Sequence, residues 1–204
     1  MPLTRSTTGK LLASVLAVAG AATVAGLGTF GTFTSTTSAD ASVSSGTVQI
    51  ALGATGAATN RLDVAASGLV PGDTVERAAD LSVTGDQDLS GITLDTTAST
   101  SSLLDTDATN GLQLAIDACP GGWTESGTAP AYTYSCATTP VPVLASRPVV
   151  GNNVALTNLA DTAGSVNHLR VTMTLPTSAD NTFQGQSSVI HVAFTGTQRT
   201  GTSK

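Results

Sequence analysis

Two histidines, His168 and His191, are the only imidazole groups with which this chain could bind a metal or transfer protons. The common zinc peptidases carry HExxH on a helix, where two imidazoles one turn apart hold the metal and the Glu activates water. This chain has no HExxH, and each histidine falls on a predicted strand, out of phase with the larger apolar side chains. If the last two strands pair, the histidines approach each other, but a third ligand and a base must come from Asp or Glu. We interpret both as surface histidines and retain them as candidate zinc ligands.

Three aspartates in the middle of the chain, Asp95, Asp105 and Asp107, offer carboxylates to Ca²⁺. The last two form a D-x-D in a polar loop, but no EF-hand Gly and Glu complete the pattern, and we interpret all three as solvated loop acids. No G-x-S-x-G elbow, P-loop or strand-linked G-x-G-x-x-G occurs. The sequence therefore predicts no catalytic residue and no cofactor, with zinc and calcium left open.

The two cysteines, Cys119 and Cys136, are predicted to form a disulfide, because an even count in an exported chain favours one. Closing this loop stabilises a fold by roughly 3 kcal/mol in the chain-entropy estimate. Free thiols or metal ligands are the alternative, which neither a CxxC spacing nor a nearby His supports. The loop also holds Trp123, the only Trp of the chain. Trp123 either contributes to a binding surface or caps the core.

The N-terminus has the order of an export signal, with basic residues followed by an apolar run. Arg5 and Lys10 give the positive start, and no charge occurs from Leu11 to Phe30. We predict a removable apolar signal helix over residues 1–31. The alternative is a retained transmembrane helix, since about 20 apolar residues can span a bilayer.

The charge balance excludes one class of partner. Beyond residue 31 the chain keeps all fourteen acidic residues and six of the eight basic ones, which gives a net charge of −8 instead of −6. Such a surface repels phosphate backbones, so we expect no nucleic-acid partner. Anionic lipid headgroups are disfavoured for the same reason, and membrane contact is expected only through an uncleaved signal.

Alternation of apolar and polar residues predicts strands throughout the rest of the chain, most clearly over residues 169–175 and 190–194. No segment after residue 31 keeps a helical period for three turns. We therefore predict an all-β fold, a single antiparallel β-sandwich over residues 46–198 followed by a polar tail over residues 199–204.

Two segments of this predicted sandwich need comment. Arg77 falls in the apolar register of its strand, so either the strand has a bulge or Arg77 lies at its solvated end. The stretch from Pro140 to Pro148 holds three prolines, which predicts an edge strand or a long connection.

Several motifs in the chain resemble the TasA/camelysin family of exported proteins. At the start these are Gly28-Thr29-Phe30, which ends the apolar run, and Ser45-Gly46-Thr47-Val48, which opens the first strand. The segments VPGDTVERAADLSVTGDQDLSGITL and NTFQGQSSVIHVAFTGTQ are similar to the family's Pro-Gly-Asp turn with its strands and to its closing strand. Residues 95–165 carry no motif of this kind.

The resemblance implies a jelly-roll-like sandwich, exported through a SipW-type signal peptidase and cleaved near Gly31 and Thr32. A rival small-residue site lies at Ala39 and Asp40 and satisfies the ordinary A-x-A-like rule. Cleavage at the first site leaves residues 32–45 as a possible donor strand for the next subunit. Cleavage at the second removes Phe33.

The donor segment runs from Thr32 to Val43, is free of Pro and Gly and carries Phe33 as a possible anchor. Its alternative interpretation is a frayed N-terminus. The resemblance therefore implies a secreted, cell-envelope structural protein that self-associates into extracellular fibres of a biofilm matrix. Two alternatives stay open: a camelysin-like metalloendopeptidase and a monomeric surface-binding module.

Overall fold

A computed structural model describes residues 48–62 and 68–201, which belong to a single unit spanning Ser45–Lys204. The predicted signal helix, the donor residues Phe33 and Val43, and residues 202–204 of the polar tail lie outside the described residues. So do both predicted cleavage sites, which are Gly31 with Thr32 and Ala39 with Asp40. These assignments and the predicted domain boundaries stay predictions.

The described part of the chain is built from ten strands and two short helices. The strands are β1 (Val48–Leu52), β2 (Thr74–Gly85), β3 (Leu89–Thr100), β4 (Gln113–Ala118), β5 (Trp123–Thr128), β6 (Ala131–Cys136), β7 (Val141–Pro148), β8 (Gly151–Leu156), β9 (Val166–Thr174) and β10 (Val189–Gln198). The helices are α1 (Leu103–Thr106) and a 3-10 helix (Asn181–Phe183). Neither is long and apolar enough to cross a membrane.

The strands form three antiparallel sheets. A five-stranded sheet has the order β1-β2-β9-β4-β7, a three-stranded sheet has the order β10-β3-β8, and β5 and β6 form a hairpin. The prediction of an all-β, antiparallel fold is therefore confirmed. The jelly-roll arrangement and the signal helix stay predictions.

One apolar core is shared by the two larger sheets, because each strand alternates and turns its apolar side chains to the same side. In β9 the inward residues Leu169 and Val171 are fully buried, whereas His168, Arg170 and Thr172 lie on the outer face and are half-buried. The core strand residues are Leu81, Val83, Leu114, Ile116, Val143, Leu169 and Val171 of the larger sheet and Leu89, Ile92, Leu94 and Leu156 of the smaller one.

Both interpretations of Arg77 were wrong. Strand β2 pairs one-to-one with β9 from Thr74 to Ser82, without a bulge, and Arg77 is only 1% exposed. Its Nη1 donates to the Glu76 carbonyl at 2.7 Å, and its guanidinium lies 5.9 Å from the centre of the Tyr132 ring. Burial lowers the pKa of Arg77. An arginine tolerates an inward position here because a carbonyl oxygen and an aromatic ring meet its planar head.

The proline-rich segment lies where its composition predicted. Strand β7 is the outermost strand of the five-stranded sheet and contains Pro142 and Pro148. Because proline has no N–H to donate, an edge is the position where a strand accommodates it.

The position of the core predicts that two substitutions of apolar residues differ greatly in their effect on the free energy of unfolding. Ile116 is 0% exposed in the middle of β4, whereas Val70 is 58% exposed in the turn before β2. Ile116→Ala is expected to lower the free energy of unfolding by about 2–5 kcal/mol, because it leaves a cavity. Val70→Ala, the control, is expected to change it by less than about 0.5 kcal/mol. Chemical denaturation of both variants measures the difference, and equal effects would contradict this position of the core.

Candidate functional site

The two histidines do not come together. Strand β9, with His168, lies between β2 and β4, so both of its edges are already paired. Strand β10, with His191, pairs with β3 in the other sheet, and His191 is exposed. The last two strands lie in different sheets, so the condition under which the two histidines would approach each other is not met.

His168 has a carboxylate partner instead of a second imidazole. Its Nδ1 lies 2.7 Å from Oδ1 of Asp80 on the neighbouring strand β2, and both side chains are half-buried. A catalytic zinc site requires three protein ligands. Over residues 48–62 and 68–201, no three His, Cys, Asp or Glu side chains lie close enough together to hold a metal ion. The donor set of this part of the chain therefore does not fit a zinc site.

The three central aspartates are half-buried and do not converge on one another. Asp95 accepts the backbone N–H of Asn153, and Asp107 accepts the N–H of Asn110, each through Oδ1. Asp105 belongs to the capping box of α1 and accepts hydroxyl bonds from Ser101 and Ser188. Burial raises the pKa of Asp105, but these hydrogen bonds outweigh it and the net pKa is lowered. Each carboxylate thus satisfies local donors, and the three form no calcium site.

The predicted disulfide is present and anchors the hairpin of β5 and β6. Cys119, just after β4, is buried and bonds to Cys136 at the end of β6, with Cα atoms 5.8 Å apart. The backbone N–H of Cys119 also donates to the His168 carbonyl at 2.9 Å. The hairpin is thereby attached beside the outer face of the five-stranded sheet.

Arg170 is the centre of the ion pairs on that outer face. Its Nη1 donates to Glu76 of β2 and its Nη2 to Asp117 of β4, each at 3.0 Å. Its side chain is 20% exposed. The Arg170 Nε is buried without a hydrogen-bond partner in the described part of the chain. One guanidinium on the middle strand thus joins carboxylates from the strands on both sides.

Trp123 covers this cluster from the hairpin. The Arg170 guanidinium lies 4.4 Å from the centre of the Trp123 ring, a cation–π geometry. The Trp123 Nε1–H donates to the His168 carbonyl at 3.0 Å. Of the two interpretations, capping the apolar core is wrong, because the ring covers an ion pair on the outer face. A binding role around Trp123 stays a prediction.

Glu125 connects the hairpin to the chain segment between β1 and β2. Its carboxylate accepts from Arg61 twice, at 2.9 Å from Nε and 2.7 Å from Nη2, and from the Tyr134 hydroxyl at 3.0 Å. The Arg61 hydrogen bond holds the pKa of Glu125 below its usual value. Burial raises the pKa of Tyr134 to about 12. The Arg61 head also lies 4.7 Å from the centre of the Tyr132 ring.

We give the name clasp to the set of charged and aromatic side chains just described, which are Glu76, Asp80, Asp117, Glu125, Arg61, Arg170, His168 and Trp123. Sequence reasoning identified His168 and Trp123 but missed the others, because they come from β2, β4, β5, β9 and the β1–β2 connection and meet only after pairing. One signal was available: charged residues alternate with apolar ones in β2 and β9, which places them on one outer face. In the clasp, charged side chains are paired with side chains of opposite charge. Among the described residues, the clasp offers no combination of a nucleophile with metal ligands.

The two ion pairs of Arg170 predict a stability effect. Arg170→Leu is expected to lower the free energy of unfolding by about 1.5–3 kcal/mol, because Glu76 and Asp117 lose their charged partner. Arg147→Leu is the matched control, since the Arg147 side chain forms no hydrogen bond or ion pair with the described residues and its effect should be much smaller. Urea denaturation measures both, and equal losses would contradict the role of Arg170.

Glu125 predicts a defined pH dependence. Its folded-state pKa is below its ordinary value of 4.5, so its stabilisation is fully present above that pH and is lost as the pH falls through the folded pKa. Glu125→Gln is therefore expected to flatten the decline in unfolding free energy below about pH 4.5. Asp161→Asn removes an exposed carboxylate and serves as control. An unchanged slope in the Glu125 variant would contradict the prediction.

Comparison with known protein families agrees with the sequence motifs. A family described as camelysin metallo-endopeptidase matches residues 7–116, which is more than half of the 204 residues. The match runs through β1, β2 and β3 and into β4, and it ends before the disulfide hairpin. No curated protein matches the chain. The chain therefore belongs to the TasA/camelysin family.

Proposed function

We propose that this chain is an exported structural protein of the cell envelope, whose copies assemble into extracellular fibres by strand donation. Family membership supports a secreted structural or camelysin-like role. The observation that carries the proposal is a long sheet edge at β10 that has a hydrogen-bonded neighbour on one side only among the described residues.

The other sheet edges are protected in ways that native proteins use against strand addition. Strand β7 contains two prolines, β1 has five residues, and β8 has six residues, with Asn153 at φ 51° among them. Strand β10 has ten residues and contains no proline. It is therefore the edge best suited to accept an incoming strand.

Strand β10 also presents an apolar row that an added strand would cover. Ile190, Val192 and Phe194 alternate along the strand and pack against the core while staying half-buried. Strand β1 approaches only one end of this row, where Ile50 would lie 3.0 Å from a Cβ placed on Gly196. Added apolar contacts over this row would reinforce the main-chain hydrogen bonds of a donated strand.

The proposed donor is the segment of residues 32–45 of a second copy. In an extended segment Phe33, Ala39, Ala41 and Val43 fall on one face, because side chains alternate. Asp40, its only charge, falls on the opposite face. This pattern supports docking with the apolar face toward β10. We also propose a jelly-roll-like sandwich for the acceptor, supported by the core that its two sheets share.

A peptidase is the second candidate, and the family description favours it. The described residues oppose it, because His168 has Asp80 and no further metal ligand close by. We expect the purified protein to contain less than stoichiometric zinc by atomic absorption and to be unaffected by chelators in structure and assembly. Stoichiometric zinc, with proteolysis that a chelator stops, would replace the structural proposal with the enzymatic one.

Strand donation predicts opposite behaviour for two forms of the mature chain. A form beginning at Thr32 is expected to polymerise, whereas a form beginning at Val43 should stay monomeric because it lacks the donor. Electron microscopy and light scattering of both forms, with N-terminal sequencing of the exported protein, provide the test. Fibres formed by the trimmed protein would overturn the proposal.

A synthetic peptide of residues 32–45 should bind the trimmed form and shift the amide resonances of β10, whereas the same peptide with Phe33→Asp should bind more weakly.

A further inference from the structure

The connection between β1 and β2 is attached to the hairpin through Arg61. The Arg61 side chain donates to the Gly56 carbonyl within the connection and to both carboxylate oxygens of Glu125 in the hairpin. The two ion-pair side chains are each 19% exposed, so the pair is partly shielded from solvent. A bidentate pair of this kind fixes position as well as charge.

Backbone hydrogen bonds also hold the described part of the connection. Gly53 N–H donates to the Asp80 carbonyl, Asp80 N–H to the Thr59 carbonyl and Arg61 N–H to the Ala78 carbonyl, on either side of an isolated bridge between Asn60 and Ala79. From Gly53 to Leu62 the side chains are half-buried or exposed, except Asn60. Apart from Leu62, which packs against the core, the segment buries little apolar surface, so it opens at low free energy and the Arg61 pair adds to its support.

The hairpin in turn depends on its disulfide. A two-stranded hairpin is marginally stable alone, and both ends of this one meet at the bond between Cys119 and Cys136. Trp123 and Tyr134 are its main contacts with the sheet, Tyr134 through its backbone N–H to Glu76 at 3.3 Å. Losing the disulfide therefore frees the C-terminal end of the hairpin strand that carries Tyr134.

We propose that the Cys119–Cys136 disulfide is a redox switch that controls the order of the β1–β2 connection through the Glu125–Arg61 ion pair. Reduction by a thiol, which itself becomes a disulfide, returns two electrons and two protons to Cys119 and Cys136. In the dithiol state Trp123 and Tyr134 hold the hairpin to the sheet without its covalent link, and the Glu125–Arg61 anchor of the connection loosens. Oxidation passes two electrons and two protons from the Cys119 and Cys136 thiols to a disulfide-bearing oxidant, which becomes two thiols. The switch closes where the environment is oxidising.

The consequence for assembly rests on the proposed function. Strand β1 begins at Val48, directly after the proposed donor segment, and the connection follows it. A loosened connection leaves β1 less firmly held, and with it the point where the donor leaves the domain. Assembly would then be favoured only in the oxidised protein.

Hydrogen–deuterium exchange of the purified full chain, oxidised and after phosphine reduction, tests the switch. Amides of residues 53–62 and of the hairpin are expected to exchange at least about tenfold faster after reduction. Amides of the β10–β3 pair are expected to be unchanged and serve as internal reference. Unchanged exchange over residues 53–62 would overturn the proposal. So would faster exchange everywhere, because the disulfide would then support the whole fold.

Two variants with the disulfide intact separate the ion pair from the hairpin. Glu125→Gln is expected to speed exchange over residues 53–62 while the hairpin amides stay protected. Thr124→Ala, on the exposed face of the same strand, is the matched control and should change neither. Equal exchange in Glu125→Gln and the control would remove the ion pair from the mechanism. Exchange is measured without assembly, so this test still holds if the protein forms no fibres. Fibres that form equally well in both redox states would contradict only the consequence for assembly.

Discussion

The rest of the structure depends on the position of β9 between β2 and β4 in the five-stranded sheet. In that position every second residue of β9 enters the apolar core, and every other residue is presented to the opposite face between two neighbouring strands. The core thereby gains Leu169 and Val171, and the outer face gains His168 and Arg170. Burial of one face and concentration of charge on the other are two results of the same pairing.

Charged side chains on the outer face at the centre of a sheet require partners of opposite charge and a group that covers them. Glu76 and Asp117 supply the partners from the two adjacent strands, and the disulfide-linked hairpin supplies the cover through Trp123. Arginine suits the central position because its planar fork donates in two directions while an aromatic ring stacks on it. The hairpin therefore adds a cation–π contact to an ion pair whose charges are already compensated.

The chemistry of this face is structural in character. His168 and its carboxylate partner Asp80 resemble the outer part of many metal or catalytic sites, yet the described residues around them supply no further ligands. Among the edge strands of the described residues, β10 alone combines length, freedom from proline and a half-buried apolar row. An edge of this kind is suited to self-assembly, and this is why we favour a structural role within the TasA/camelysin family.

Much of this description was accessible from the residues alone. Alternation predicts strands because side chains on a strand point to opposite faces, and prolines predict the edge strand because they lack an N–H. The disulfide followed from two cysteines in a chain with a predicted export signal, and the family from short motifs at both ends. Strand pairing was not accessible, and it decided that His168 meets Asp80 instead of His191 and that the central aspartates separate.

Arg77 and the clasp show most clearly what could not be predicted from the sequence alone. Their residues come from segments far apart in sequence, and the free energy of an ion pair depends on which strands become neighbours and how much solvent is excluded. Local pattern determined that this chain is an all-β member of its family with a disulfide. Only the tertiary structure decided that an arginine could be buried without a bulge, that Trp123 covers an ion pair, and that Glu125 reaches Arg61, because those outcomes depend on contacts between segments.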